Sequence, residues 1–174
     1  MPTDWLSIRV ELVEGRGDRL WPRPGRRFAA ARTHTFAQFA YAIDDAFARW
    51  DRSHLHQFWL ADGNRVGEPD EDDFDPDSLL DDRRTKLGQL KPGEQFVYEF
   101  DFGDSWLHLC TVEPERIDPE KTLGIVPPRP LPYWGWGSMP DQYGRQSDDG
   151  GDGEMPANPN GADLPHIGPW DVQR

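Results

Sequence analysis

One cysteine, Cys110, is all that 174 residues provide, so no disulfide can close within the chain. That scarcity fits a reducing cytoplasm. No apolar run approaches the roughly 20 residues a spanning helix needs, so no membrane segment is expected. The opening MPTDWLSIRV has neither a basic n-region nor an apolar h-region, and no secretion signal is read there. Basic residues are outnumbered 19 to 32, leaving a net charge of −13. This balance argues against a general nucleic-acid binder, whose affinity comes from neutralising phosphates, and against anionic membrane surfaces. A phosphate loop, a nucleophile elbow, a dinucleotide fingerprint, zinc-finger spacing and internal repeats are also missing.

What is present is a strong pattern of secondary structure. Gln95 to Val112, QFVYEFDFGDSWLHLCTV, reads as a β-hairpin. Phe96, Tyr98, Phe100 and Phe102 share one face of its first arm, because side chains alternate along a strand. Gly103-Asp104 is expected as a two-residue turn with the glycine at positive φ. The second arm is apolar on both faces, which suits a covered central strand. Trp5 to Leu12 alternates as a half-buried strand with Ser7, Arg9 and Glu11 on a wet face, and Arg26 to Arg32 is a possible partner. A helix is predicted from Phe36 to Trp50, its apolar stripe running through Phe39, Ile43 and Phe47. Thr35 and Gln38 have capping-box spacing at its start, and Asp44, Asp45 and Arg49 make its polar face. Ser53 to Ala61 should be a strand with His54, His56, Phe58 and Leu60 on one side. Glu68 to Asp82 holds nine acidic residues and no basic one, a self-repelling loop with room for a short helix near Leu79. Ile125 to Gly137 is proline-rich and expected to fold over the sheet as an extended strap.

These elements imply an α+β fold, a mixed and mostly antiparallel sheet with one main helix on one face, β-grasp-like in arrangement. The expected division is a core over 1–115, a Pro/Trp-rich strap over 116–145 and a flexible acidic tail over 146–174.

The run Tyr98-Glu99-Phe100-Asp101-Phe102-Gly103-Asp104-Ser105-Trp106-Leu107-His108 resembles the YxYDFGDxWxH signature of the root-inducing-plasmid ORF-three-like family. His54-Leu55-His56-Gln57-Phe58, after the predicted helix, is similar to that family's HLHxF segment. The resemblance spans roughly Trp5 to Gly144. It implies an α+β fold and carries no known biochemical function. Some members bear resolvase-type labels and travel with mobile elements. Two departures stand out: Phe100 replaces a tyrosine, and Pro127-Pro128-Arg129-Pro130 lacks the family's acids and cysteine there.

For function, the leading expectation is a non-catalytic cytoplasmic module that binds a protein or a small ligand. Its expected cleft lies between the strap aromatics Tyr133, Trp134 and Trp136 and the hairpin, with Asp101, Asp104, Trp106 and His108. The alternative is a metal-dependent hydrolase or nuclease. His54 and His56 lie about 7 Å apart along a strand, and with His108 and the two aspartates they have the chemistry of a zinc, manganese or iron site. The bland reading of the same residues has the histidines packing under the sheet or bonding to loops, and the aspartates building the turn. No other cofactor is implied. Cys110, amid Leu107, Leu109 and Val112, reads as a buried structural thiol. Asp73, Asp75 and Asp77 have EF-hand spacing, but Ser78 and Arg84 stand where glycine and glutamate are needed. A resolvase would need a nucleophile among arginines and a DNA-reading helix. The arginines between Arg16 and Arg32 are expected to screen the acidic loop.

Overall fold

The computed structural model describes residues 4–69, 79–143, 163–168 and 170. Its elements in chain order are β1 (Trp5–Gly15), β2 (Asp18–Arg19), β3 (Gly25–Ala31), α1 (Phe36–Ala46), β4 (His56–Trp59) and β5 (Arg65–Gly67). There follow β6 (Leu79–Asp81), β7 (Gln95–Phe100), β8 (Trp106–Val112), α2 (Pro119–Leu123) and β9 (Leu131–Trp136). The strands form one sheet in the order β6-β5-β4-β7-β8-β1-β3-β9, with β2 paired to the end of β1. Pairing is antiparallel throughout except between β5 and β6. The fold is α+β, with α1 laid across one face.

That face is where the alternating strands and the helix stripe meet. Ile8, Val10, Phe28, Phe58, Phe96 and Tyr98 are sealed from solvent beneath Phe36, Phe39 and Ile43 of the helix. Edge-to-face pairs such as Phe36–Phe58 at 5.1 Å and Phe28–Phe39 at 5.4 Å add about 0.5–1.5 kcal/mol each beyond area burial. At the helix start, Thr35 Oγ1 accepts from the Gln38 N–H while the Gln38 side chain accepts from the Thr35 N–H, the reciprocal cap its spacing predicts.

The helix ends four residues before the stripe does. Ala48 is left-handed at φ 58°, its N–H reaching the Asp45 carbonyl and the Arg49 N–H reaching that of Asp44. This is a Schellman stop built without glycine. It turns Arg49 inward, where it is 1 % exposed, and Trp50 outward, where it is 55 % exposed. The expected polar face is therefore corrected: Asp44 and Arg49 are buried, and only Asp45 stays wet.

The reverse face of the sheet is covered too. Leu164 and Trp170 pack with Val13, Val97, Leu107 and Leu109, so the chain beyond 146 is not all free tail. Trp5, Ala29 and Ala31 pack with Ile117 and Tyr133, and Ser7 on the supposedly wet face of β1 is buried. The proline-rich strap also differs from expectation. Its last part joins the sheet edge as β9, paired with β3, a position where the missing N–H of Pro132 is tolerated. Near Leu79 there is a strand, β6, not a helix. The acidic run over 70–78, with its EF-hand-like aspartates, and the stretch 144–162 lie outside the described residues.

Candidate functional site

The signature hairpin turns differently from its reading. Five residues, 101–105, link β7 to β8, and the positive φ values fall on Asp101 (63°) and Ser105 (51°), not on Gly103. Asp101 tolerates this because its Oδ1 accepts from the Gly103 and Asp104 N–H groups at 3.0 and 3.3 Å. The Ser105 N–H closes the loop on the Asp101 carbonyl at 2.6 Å. From the turn between β1 and β2, Arg16 donates its N–H to the Asp104 carbonyl at 2.7 Å and sets its side chain 3.9 Å from the Asp104 carboxylate. Phe102, displaced from the strand face it was assigned to, is 47 % exposed. On the reverse face Glu99 accepts from Gln57 at 2.7 Å and from Ser105 at 2.9 Å.

Inside the helix-covered face lies a polar network absent from the expected site. Tyr98 and His108 stand opposite each other in the β7–β8 register. His108 Nδ1 lies 3.0 Å from the Tyr98 carbonyl and so donates to it, leaving Nε2 to accept from Arg49 Nη2 at 3.2 Å. Burial, with the Arg49 charge beside it, holds the imidazole well below its ordinary range. Arg49 also donates to the Phe47 carbonyl and lies over the Trp106 ring, 4.6 Å from its centroid. Burial draws the guanidinium down to about 10, against the attraction of Asp44. The Tyr98 hydroxyl donates to Asp44 Oδ1 at 2.8 Å, while burial pushes that carboxyl up to about 6. Trp106 lies flat on Gly15, where a Cβ would come within 2.0 Å of the ring, so only glycine fits there.

The other histidines go elsewhere. His56 lies 2.7 Å from the buried Asp82 carboxylate; burial is the largest single effect and lowers its affinity for the proton, but the Asp82 bond and the charges of Asp82, Asp44 and Glu68 together outweigh it and raise it. His54, which falls outside β4, bonds to the Tyr143 hydroxyl at 2.8 Å and faces Asp101 Oδ2 at 3.5 Å. Tyr143 donates to Asp51 at 2.6 Å, which pushes the phenol up to about 12. Asp51, accepting from Ser53 and then Tyr143, is lowered to about 2. Gln142 pins this corner by accepting from the Trp50 and Asp51 N–H groups and donating to the Asp51 carbonyl. Thus His54, His56 and His108 have three separate sets of partners. Among the described residues no group of three His, Cys, Asp or Glu side chains can hold a metal ion.

Nor do the cleft residues gather in one place. β1 and β3 lie between the hairpin and β9. The Tyr133 hydroxyl meets Ser7 Oγ at 2.6 Å on the reverse face, away from His108. Trp136 lies on Gly25 and donates to the Arg23 carbonyl at 3.0 Å, whereas Trp134 is 62 % exposed, contrary to the expectation that the strap rings are covered. Arginines of 16–32 pair with scattered carboxylates, Arg23 with Asp163 and Glu11, Arg27 with Glu113 and Arg32 with Asp4, while most of the acidic loop they were expected to screen lies outside the described residues. Cys110 is buried, and burial pushes its thiol up.

The sequence model of the family described as plasmid pRiA4b ORF-3-like protein matches residues 5–129. The chain belongs to this family. The match takes in the hairpin, the helix and the HLHQF segment, so the Asp101 turn and the Arg49 network are both within the ORF-3-like part of the molecule. Among solved structures, the ORF-3-like chain is similar to a protein of unknown function, MM3350, from Methanosarcina mazei Go1. They share 19 % identity at a TM-score of 0.53, over 76 % of this chain and 63 % of that one, a likeness of fold. No curated protein matches the chain.

Proposed function

We propose that this ORF-3-like protein is a cytoplasmic binding module with no catalysis of its own. One observation carries the reading. Three polar side chains of the signature are spent inside the molecule: Glu99 on Gln57 and Ser105, Asp101 on its own turn, His108 on Arg49 and the Tyr98 carbonyl. Around the same turn, by contrast, Trp50, Leu55 and Phe102 offer apolar surface to solvent. Reactive groups are locked and sticky ones are presented, which is the pattern of recognition surfaces. A buried free thiol is in keeping with a reducing compartment.

The metal-dependent hydrolase reading loses support because its histidines have separate partners among the described residues. Elemental analysis of the purified protein, with thermal melts in zinc and manganese, tests the choice. Sub-stoichiometric metal and an unmoved melting temperature are expected. Stoichiometric metal together with phosphodiester cleavage would overturn the binding-module reading.

A further inference from the structure

We infer that the rim beside the Asp101 turn docks a basic, partly apolar segment of a partner protein. The inference rests on the binding-module reading and adds the partner's chemistry to it. Trp50, Leu55 and Phe102 are 55 %, 53 % and 47 % exposed. A continuous run of contacts joins them. The Trp50 ring lies 5.1 Å from that of Tyr143, whose hydroxyl meets His54, which in turn faces Asp101. The Asp101 N–H donates to the Leu55 carbonyl at 2.9 Å, and Phe102 is the next residue along. Single exposed apolar residues are ordinary, whereas three linked through one such run make a candidate docking surface.

The charge around this patch selects the occupant. The Asp51 and Asp104 carboxylates are 33 % and 34 % exposed here, the nearly covered Asp101 carboxylate lies 3.5 Å from His54, and Asp51 keeps its charge far into acid. Among the described residues the part-exposed opposing groups are His54 and Arg16, the latter at the 3.9 Å limit of an ion pair, while Arg52 is drawn aside to Asp45 and the Tyr41 ring. A chain of net charge −13 steers cations towards such a rim. Aromatic faces beside carboxylates suit a lysine or arginine side chain, with its apolar stem or neighbour on Leu55 and Phe102. Phosphorylated or acidic peptides and nucleic acid would meet repulsion here.

Fluorescence anisotropy with a labelled decapeptide of alternating lysine and leucine, at physiological salt, tests the inference on the full chain. Glu/Leu and Lys/Ser decapeptides serve as comparisons. Leu55→Ser and Phe102→Ser remove exposed side chains at the rim, and Trp134→Ser does the same on β9. Binding of the Lys/Leu peptide is expected, weakened about tenfold by either rim change and unaltered by Trp134→Ser. Equal binding by the rim variants, or comparable binding of either other peptide, overturns the inference. Should the rim variants lose proteins that the wild type captures from native lysate while the Lys/Leu peptide fails to bind, the partner chemistry falls and the binding-module reading stands.

Discussion

Replacing Asp44 by asparagine should make the protein more stable at neutral pH, because the ionised carboxylate is held inside at a net cost. Burial moves its proton affinity from 3.8 up to about 6, even after the Tyr98 bond and the charges of His56, Arg49 and Arg52 have acted in the opposite direction. A folded-state value above the unfolded one means that the protonated acid is the better-accommodated form. The stability it lends is complete below about pH 4 and is lost as the pH rises through about 6. At 1.36 kcal/mol per pH unit, that gap corresponds to roughly 3 kcal/mol. Asparagine imitates the protonated acid: its amide oxygen can still accept from Tyr98, and it has no charge to desolvate. Urea unfolding of both proteins across this range is the assay. The stability difference in favour of the variant should grow by about 3 kcal/mol between about pH 4 and pH 7 and then level off. Titrating groups common to both proteins cancel in that difference except His56, whose proton affinity the Asp44 charge raises. A difference that stays flat, or that turns against the variant as the pH rises, would refute the reasoning.

Ala48→Gly should raise stability by about 1 kcal/mol, since the left-handed position at the helix stop carries a Cβ penalty; an unchanged or lower melting temperature would count against the Schellman stop. Trp170→Ala should cost about 3–5 kcal/mol in denaturant unfolding, as the ring is sealed against Val97, Leu107 and Leu109; a loss under 1 kcal/mol would show that the reverse face does not depend on it. His56, raised by Asp82, lends stability that is full below about pH 6.5 and fades as the pH rises through its folded-state value. Stability measured upwards from about pH 6 should therefore fall more steeply in the wild type than in His56→Gln, and parallel profiles would exclude that role.

Much of the architecture is legible in the sequence because its causes are local. Alternation in β1, β3 and β7, the apolar run of β8 and the Thr35–Gln38 cap act within a few residues, and each is where the pattern puts it. The helix end is not legible, because the apolar step continues through Phe47 to Trp50 while the left-handed residue is an alanine. β9 is hidden by its prolines, which read as an extended arm and in fact occupy a sheet edge. The site suffers most. Arg49 and Asp44 look like helix-surface residues until the early stop and the Tyr98–His108 register bring them together, and both are long-range facts. Asp51, Gln142 and Tyr143 leave no local signal at all. Asp101 and His108 are singled out by residue type, and in the fold they hold the turn and the interior.

The back of the sheet has a consequence for how the molecule divides. The ORF-3-like match stops at 129, yet the strand that closes the β3 edge and the indole that plugs the hollow over Leu107 and Leu109 both come later. A version cut at that border would keep its helix-side interior but bare a raw edge and a greasy dimple. The chain that completes the sheet and its reverse face thus runs past the homologous stretch, and the Trp170 indole is a cork, not an appendage.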